Sequence, residues 1–172
     1  MRRHRLLGLA ATAVLAAAAG PATSGAAPSG PATASAARAF AFPSVSRDLA
    51  RKPRIGRTHG AAPRKLKVKD VVVGTGATAK AGSTVTTQYV GVLYRGGHEF
   101  DASWGRGQPF AFLLGSGMVI RGWDRGIAGM KVGGRRILVV PARLAYGAAG
   151  SPPAIPANAT LVFVVDLKQV QG

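Results

Sequence analysis

The chain has 172 residues, enough for one domain of ordinary size with an extension and short of two domains. It has no cysteine, which excludes a disulfide framework, a thiolate nucleophile and a zinc–thiolate site; its three histidines (His4, His59, His98) stand in no metal-ligand spacing, so no metal or other cofactor is expected. With 23 Lys and Arg against 6 Asp and Glu, the formal charge is +17, which raises the question of a polyanionic partner.

Residues 1–26 read as a secretory signal peptide. Arg2, Arg3 and Arg5 precede an uncharged apolar run from Leu6 to Gly20, and Ser24-Gly25-Ala26 offers a small-residue cleavage site. The run has fifteen residues, shorter than the ~20 that span a bilayer. An uncleaved anchor and an organellar presequence are the alternatives. No cysteine follows the apolar run, which excludes a lipoprotein anchor. The expected location is therefore extracytoplasmic, secreted or tethered to the envelope.

Residues 27–66 are mostly Ala, Pro, Gly, Ser and Arg without apolar periodicity, and read as a disordered basic tether. Between Arg38 and Lys69 stand ten Lys or Arg and one acid, Asp48, so most of the excess charge lies here. Such a segment is either solvated or weakly adherent to an anionic surface. It has no recognition helix and no aromatic stacking platform, so no specific nucleic-acid partner is expected.

The folded part is expected over 67–172. Nine of the eleven aromatic residues fall between Tyr89 and Phe163, and large side chains supply most of the buried area of a core. Val68–Val73 reads as a first strand. Ser83–Arg95 is a second, with Val85, Thr87, Tyr89, Gly91 and Leu93 on one face and Thr86, Gln88, Val90, Val92 and Tyr94 on the other. Arg95-Gly96-Gly97-His98 supplies a two-glycine hairpin turn, leading to a short return strand over His98–Ser103 with His98 solvated. Phe110–Leu113, Arg135–Pro141 and Thr160–Leu167 complete the strands, the last apolar on both faces and so expected at the centre of the sheet. One short helix is expected in Val119–Met130, where Ile120, Trp123, Ile127 and Met130 recur at helical spacing among three glycines. A single short helix cannot cover a flat sheet of five strands. The sheet must curl around it, which gives an α+β fold: an antiparallel half-barrel wrapped on one helix.

Gly74-Thr75-Gly76-Ala77-Thr78-Ala79 matches a dinucleotide fingerprint, but Gly82 and another strand follow where a helix must open, so it reads as a turn. The chain shows no Ser–His–acid set, no paired carboxylates and no phosphate loop. What remains is a density of rings beside very few polar groups. Tyr89-Val90-Gly91, Phe100-Asp101-Ala102-Ser103, Pro109-Phe110-Ala111-Phe112, Val119-Ile120-Arg121-Gly122-Trp123, Ala145-Tyr146-Gly147 and Ile155-Pro156 through Phe163 follow in order. In these blocks, over about Lys67–Gly172, the chain resembles the FKBP-type peptidyl-prolyl cis–trans isomerases.

The resemblance implies the same half-barrel and a pocket for proline. Trp123 would be its floor, with Tyr89, Phe100, Phe110 and Phe163 as walls and Val119 and Ile155 completing the lining. The Ile120 N–H and the Tyr146 hydroxyl would donate to substrate, and Asp101 would be held by Tyr89 and Arg106. On the residues alone, Trp123 reads first as a core filler and Tyr146 first as a loop anchor, and Asp101 is equally a buried carboxylate paired with Arg106; Phe112, Leu161 and Val165 are core by alternation. The chain departs from the family pattern at Ser151, where a ring is common, and at Ala154, where a larger aliphatic residue is common, while Pro152-Pro153 stiffens the flap between them. The expected partners are proline-containing exported polypeptides, with macrolides as possible inhibitors of the same pocket, and the expected state is a monomer. The rival readings are a proline-binding module or chaperone with little turnover, and a basic tether of which the domain is the passenger.

Overall fold

A computed structural model of the chain describes residues 39–172; the expected signal, 1–26, and the first part of the expected tether, 27–38, lie outside the described residues. Among these described residues six strands follow in order: β1 (Lys67–Val72), β2 (Thr84–Leu93), β3 (Glu99–Ala102), β4 (Phe110–Leu113), β5 (Arg135–Val140) and β6 (Leu161–Gln171). Also among them, one α-helix, α1 (Arg121–Ile127), precedes β5, and a 3-10 turn at Ala142–Leu144 follows it. The strands are antiparallel in the order β1-β5-β6-β2-β3, with β4 pairing one end of β2. Five strands form the expected curled sheet, and the strand read at Phe110–Leu113 joins β2 off that path. The last strand is central, between β5 and β2, as its two apolar faces require.

The alternation along β2 divides the core into two. Val85, Tyr89, Phe163, Val165, Leu138 and Val140 share one cluster with the helix residues Trp123 and Ile127. Val90, Val92, Tyr94, Ile137, Val139, Val162 and Val164 form a second cluster on the other face. The hairpin after β2 is wider than a two-residue turn. Gly96 and Gly97 both take positive φ, 85° and 69°, but the strands close between the Leu93 N–H and the His98 carbonyl at 2.8 Å.

The helix is short and lies unusually close to the sheet. Glycine costs about 1 kcal/mol in a helix relative to alanine, yet Gly122 and Gly126 both face β5. A Cβ on Gly122 would stand 2.3 Å from Val140, and one on Gly126 would stand 2.6 Å from Leu138. The two glycines let the helix sink into the curl. Arg136 then fixes its far end, donating to the Gly126 and Ala128 carbonyls at 2.9 and 3.2 Å and to Asp70 of β1 at 2.6 Å. Those carbonyls have no partner within a helix of seven residues.

The second cluster explains the largest departure from expectation. Residues 39–66 are not a disordered tether: they fold back as an irregular arm across the sheet's outer face. Ala41 bridges His59 and Val45 bridges Ile55. Phe40, Phe42, Val45, Ile55 and Ala62 pack on the outer cluster, and Pro43, Pro53 and Pro63 are buried. The Tyr94 hydroxyl donates to the His59 carbonyl at 2.8 Å. Composition suggested a segment with too little to bury. An apolar strand face left open to water gives those few anchors a partner, and three prolines lower the entropy lost on ordering. Beneath the arm, Arg135 and Asp166 form an ion pair with side chains 0% and 2% exposed and both bonds at 2.6 Å. Arg135 also donates to the carbonyls of Ser46 at 2.7 Å and Arg51 at 3.1 Å, locking the arm to β5.

Candidate functional site

On the inner face, the curl leaves a cavity of about 450 Å³ lined by Tyr89, Phe100, Asp101, Phe110, Met118, Val119, Ile120, Trp123, Tyr146 and Phe163. This size suits a small organic ligand or a single side chain and its flanking amides. Trp123 reaches its base from the first turn of α1. The Tyr89 ring stands 5.0 Å from the indole at 85° and the Phe163 ring 5.3 Å from it at 86°. Phe110 is 6.1 Å from the indole, and Phe100 closes the wall at 5.5 Å from Phe163. Edge-to-face rings of this kind pack as a rigid set, each pair adding about 0.5–1.5 kcal/mol beyond its buried area.

The polar groups are few and mostly tied. The Tyr89 hydroxyl donates to Asp101 at 2.5 Å and accepts from Arg106 at 2.7 Å, and Arg106 also pairs directly with Asp101. The Asp101 and Arg106 side chains are 43% and 55% exposed, so the ion pair by itself contributes only about 0–1 kcal/mol. Its effect is orientation: it fixes the phenol and turns the carboxylate along the wall. Three donors at the cavity are left without a protein acceptor among the described residues: the Ile120 N–H, the Tyr146 hydroxyl and the buried Trp123 indole N–H. Ile120 caps the N-terminal end of α1, which is why its N–H lies outside the helical ladder.

Burial pushes the Tyr89 phenol up to about 12, helped by the hydrogen bond to Asp101 and its charge, with Arg106 opposing. Burial first, and Asp101's charge second, raise Tyr146 as well. A raised phenol favours the neutral form in the folded chain. Its contribution to stability is therefore complete below pH 10.0, the ordinary phenol value, and is lost as pH rises through about 12. Alkaline titration of the folded chain should accordingly show Tyr89 un-ionised at pH 10.0, and the pH profile of activity should carry no step from this phenol below that pH. A phenolate signal assigned to Tyr89 near pH 10.0, with the chain still folded, would contradict this environment.

Of the residues the sequence singled out, Tyr89, Phe100, Asp101, Phe110, Val119, Ile120, Trp123, Tyr146 and Phe163 line the cavity, and Arg106 supports it from outside. Ile155 does not. It is 5% exposed in the inner core, because the Ser151–Ile155 turn, closed by bonds of 2.8 and 2.9 Å, directs it inward. Ser151 and Ala154 are exposed and outside the lining.

Three contributors were missed. Met118, 69% exposed, extends the apolar rim; an isolated Met in a glycine loop gives no sequence signal. Asp124 accepts from the N–H groups of Gly115 at 2.8 Å and Gly117 at 3.1 Å, so the helix holds the loop that presents Met118–Ile120. Gly91 lies under two wall rings, and a Cβ there would be 2.7 Å from Phe100 and 2.9 Å from Phe163. Gly91→Ala should therefore displace both rings into the cavity and lower kcat/KM by about tenfold to 100-fold, with the chain still folded by circular dichroism. Unchanged kcat/KM would remove these rings from the site.

A family model described as FKBP-type peptidyl-prolyl cis-trans isomerase matches residues 76–168. The FK506-binding protein of Streptomyces anulatus is 52% identical over 120 residues, which cover 69% of this chain and 97% of that protein. The 39 kDa FK506-binding nuclear protein of Drosophila melanogaster is 51% identical over 105 residues, 61% of this chain but 29% of that one. Among solved structures, FkpA from Escherichia coli superposes with a TM-score of 0.56 at 45% identity, over 62% of this chain and 48% of that chain.

Proposed function

The chain belongs to the FKBP-type peptidyl-prolyl cis–trans isomerase family and has that family's activity, and on this footing we propose that the X–Pro bond turns in the Trp123 cavity, on exported polypeptides. The observation that carries the reading is the indole floor, ringed by Tyr89, Phe110 and Phe163 at 5.0–6.1 Å, with the Ile120 N–H and the Tyr146 hydroxyl left without a protein acceptor at its edge among the described residues.

Rotation about an X–Pro bond is slow because twisting removes amide resonance. The barrier is about 18–20 kcal/mol, and uncatalysed exchange takes tens to hundreds of seconds. No bond breaks, so neither a nucleophile nor a strong acid is required. The planar amide is more dipolar than the twisted one, and an apolar cavity disfavours the planar form more. The proline ring packs on Trp123. The Ile120 N–H and the Tyr146 hydroxyl each donate to a substrate carbonyl and hold the chain on either side of the bond while it turns. Asp101, paired with Tyr89 and Arg106, holds the phenol in place in the wall. A 10⁴–10⁵-fold acceleration requires about 6–7 kcal/mol of preferential stabilisation, within reach of desolvation together with two directed hydrogen bonds.

Export is supported by the basic-then-apolar pattern of residues 2–20. The relatives' FK506-binding names support a macrolide as a ligand of the same cavity, where it would compete with proline. The test is a refolding reaction limited by proline isomerisation. The full chain should accelerate it catalytically, and an excess of macrolide should suppress the effect. Binding of proline peptides without acceleration would overturn the assignment.

A further inference from the structure

The folded arm changes what the excess charge can do. A disordered tether spreads its charge over a large volume, whereas this arm fixes it on one surface. Arg47, Arg51, Lys52, Arg54 and Arg57 are exposed along the arm. The sheet adds three more on the same face, each seated beside an arm or outer-face ring. Lys67 Nζ lies 6.0 Å from the Phe40 ring, Lys69 Nζ 5.8 Å from Phe42, and Lys168 Nζ 5.8 Å from Trp104. Against these eight cations stand Asp48, 3.5 Å from Arg51, and Glu99, 2.7 Å from Lys52. Arg47, Arg54 and Arg57 have no acidic partner among the described residues.

The face is opposite the cavity. Odd positions of β2, such as Val85 and Tyr89, face the inner cluster, from which Tyr89 reaches the cavity, while Val90, Val92 and the arm share the outer cluster. We propose that this outer face docks peripherally on an anionic lipid bilayer and leaves the isomerase cavity open to the aqueous side. Two features select a bilayer. The charge lies along an arm that crosses the sheet from β1 to β3, spreading it over the width of the sheet. The aromatic rings beneath it are already covered by lysines, so they offer no stacking platform for unpaired bases. No helix among the described residues is long and apolar enough to cross a membrane, so in this part of the chain the contact is electrostatic.

The test uses the full chain and the variant Arg47→Gln/Arg51→Gln/Arg54→Gln/Arg57→Gln, which keeps residues 2–20 intact. Both are sedimented with vesicles of phosphatidylglycerol and phosphatidylcholine, and with phosphatidylcholine alone. The unaltered chain should prefer the anionic vesicles and be released from them when salt is raised, since exposed charges are screened within a Debye length of about 10 Å at 0.1 M. The variant should lose at least about tenfold of that partitioning while its isomerase activity, the measure of correct folding, is unchanged. Equal partitioning of the unaltered chain onto both vesicle types, or binding to anionic vesicles that salt does not weaken, would overturn the proposal without reference to the variant. Partitioning of an active variant equal to that of the unaltered chain would also overturn it. Tighter binding to single-stranded or duplex DNA than to the vesicles, abolished by the same four changes, would reassign the face to nucleic acid.

Discussion

Asp166→Ala is expected to destabilise the folded chain by about 3–5 kcal/mol, because removing one partner of a buried ion pair leaves the other charged and unsolvated. Arg135 is wholly buried and held by both Asp166 oxygens at 2.6 Å. The change therefore strands a guanidinium beneath the arm, where its remaining acceptors are the Ser46 and Arg51 carbonyls. An apolar replacement of the pair, Arg135→Met with Asp166→Leu, removes the stranded charge but leaves those two carbonyls without their donor. It should cost less than the single change, about 1–3 kcal/mol. Urea unfolding measures both. A single-variant loss below about 1 kcal/mol would show that water reaches the pair, and that the arm does not seal this face. The same reasoning predicts that isomerase preparations beginning near Leu66 lose the cover of Val90, Val92, Val162 and Val164 and unfold or self-associate.

Trp123→Ala is the second large effect, on function. The indole supplies the surface on which the proline ring rests. Its loss removes about 2–3 kcal/mol of apolar contact, equivalent to roughly 30- to 150-fold in kcat/KM. The residue is also a core member, 4% exposed, so stability falls as well, by about 3–5 kcal/mol. Trp123→Phe separates the two consequences: it restores most of the packing and should recover more than half of the lost activation free energy. Full activity in Trp123→Ala would remove the floor from the mechanism.

The fold was legible where one face of an element is apolar and the other has a plain partner. Alternation in Thr84–Leu93 placed Tyr89 and Val90 on opposite faces, and the doubly apolar Leu161–Leu167 marked the central strand. The helix was legible from Trp123 and Ile127, and its brevity from its glycines. What composition could not reveal is that Gly122 and Gly126 are there for close approach to Val140 and Leu138. The arm was misread for a related reason. Its own residues look too polar to fold, and the argument for its order lies elsewhere, in the second apolar face of β2, β5 and β6 that water would otherwise meet. The rings of the cavity came from ordered motif blocks and not from periodicity, which cannot distinguish a wall from a core. Ile155 illustrates the limit: its neighbours belong to the same block, yet the backbone pairing of Ser151 with Ile155 turns it into the interior. Gly91, Asp124 and Met118 act through space that no linear pattern encodes.

The most direct test of the account is cis–trans exchange of a short X–Pro peptide, followed by nuclear magnetic resonance with the full chain in light and in heavy water. The account predicts exchange accelerated equally in both solvents, because no proton is transferred at the barrier, with the Trp123 indole resonance shifting as peptide binds. A clear slowing in heavy water, or acceleration that leaves the Trp123 resonance unmoved, would contradict it.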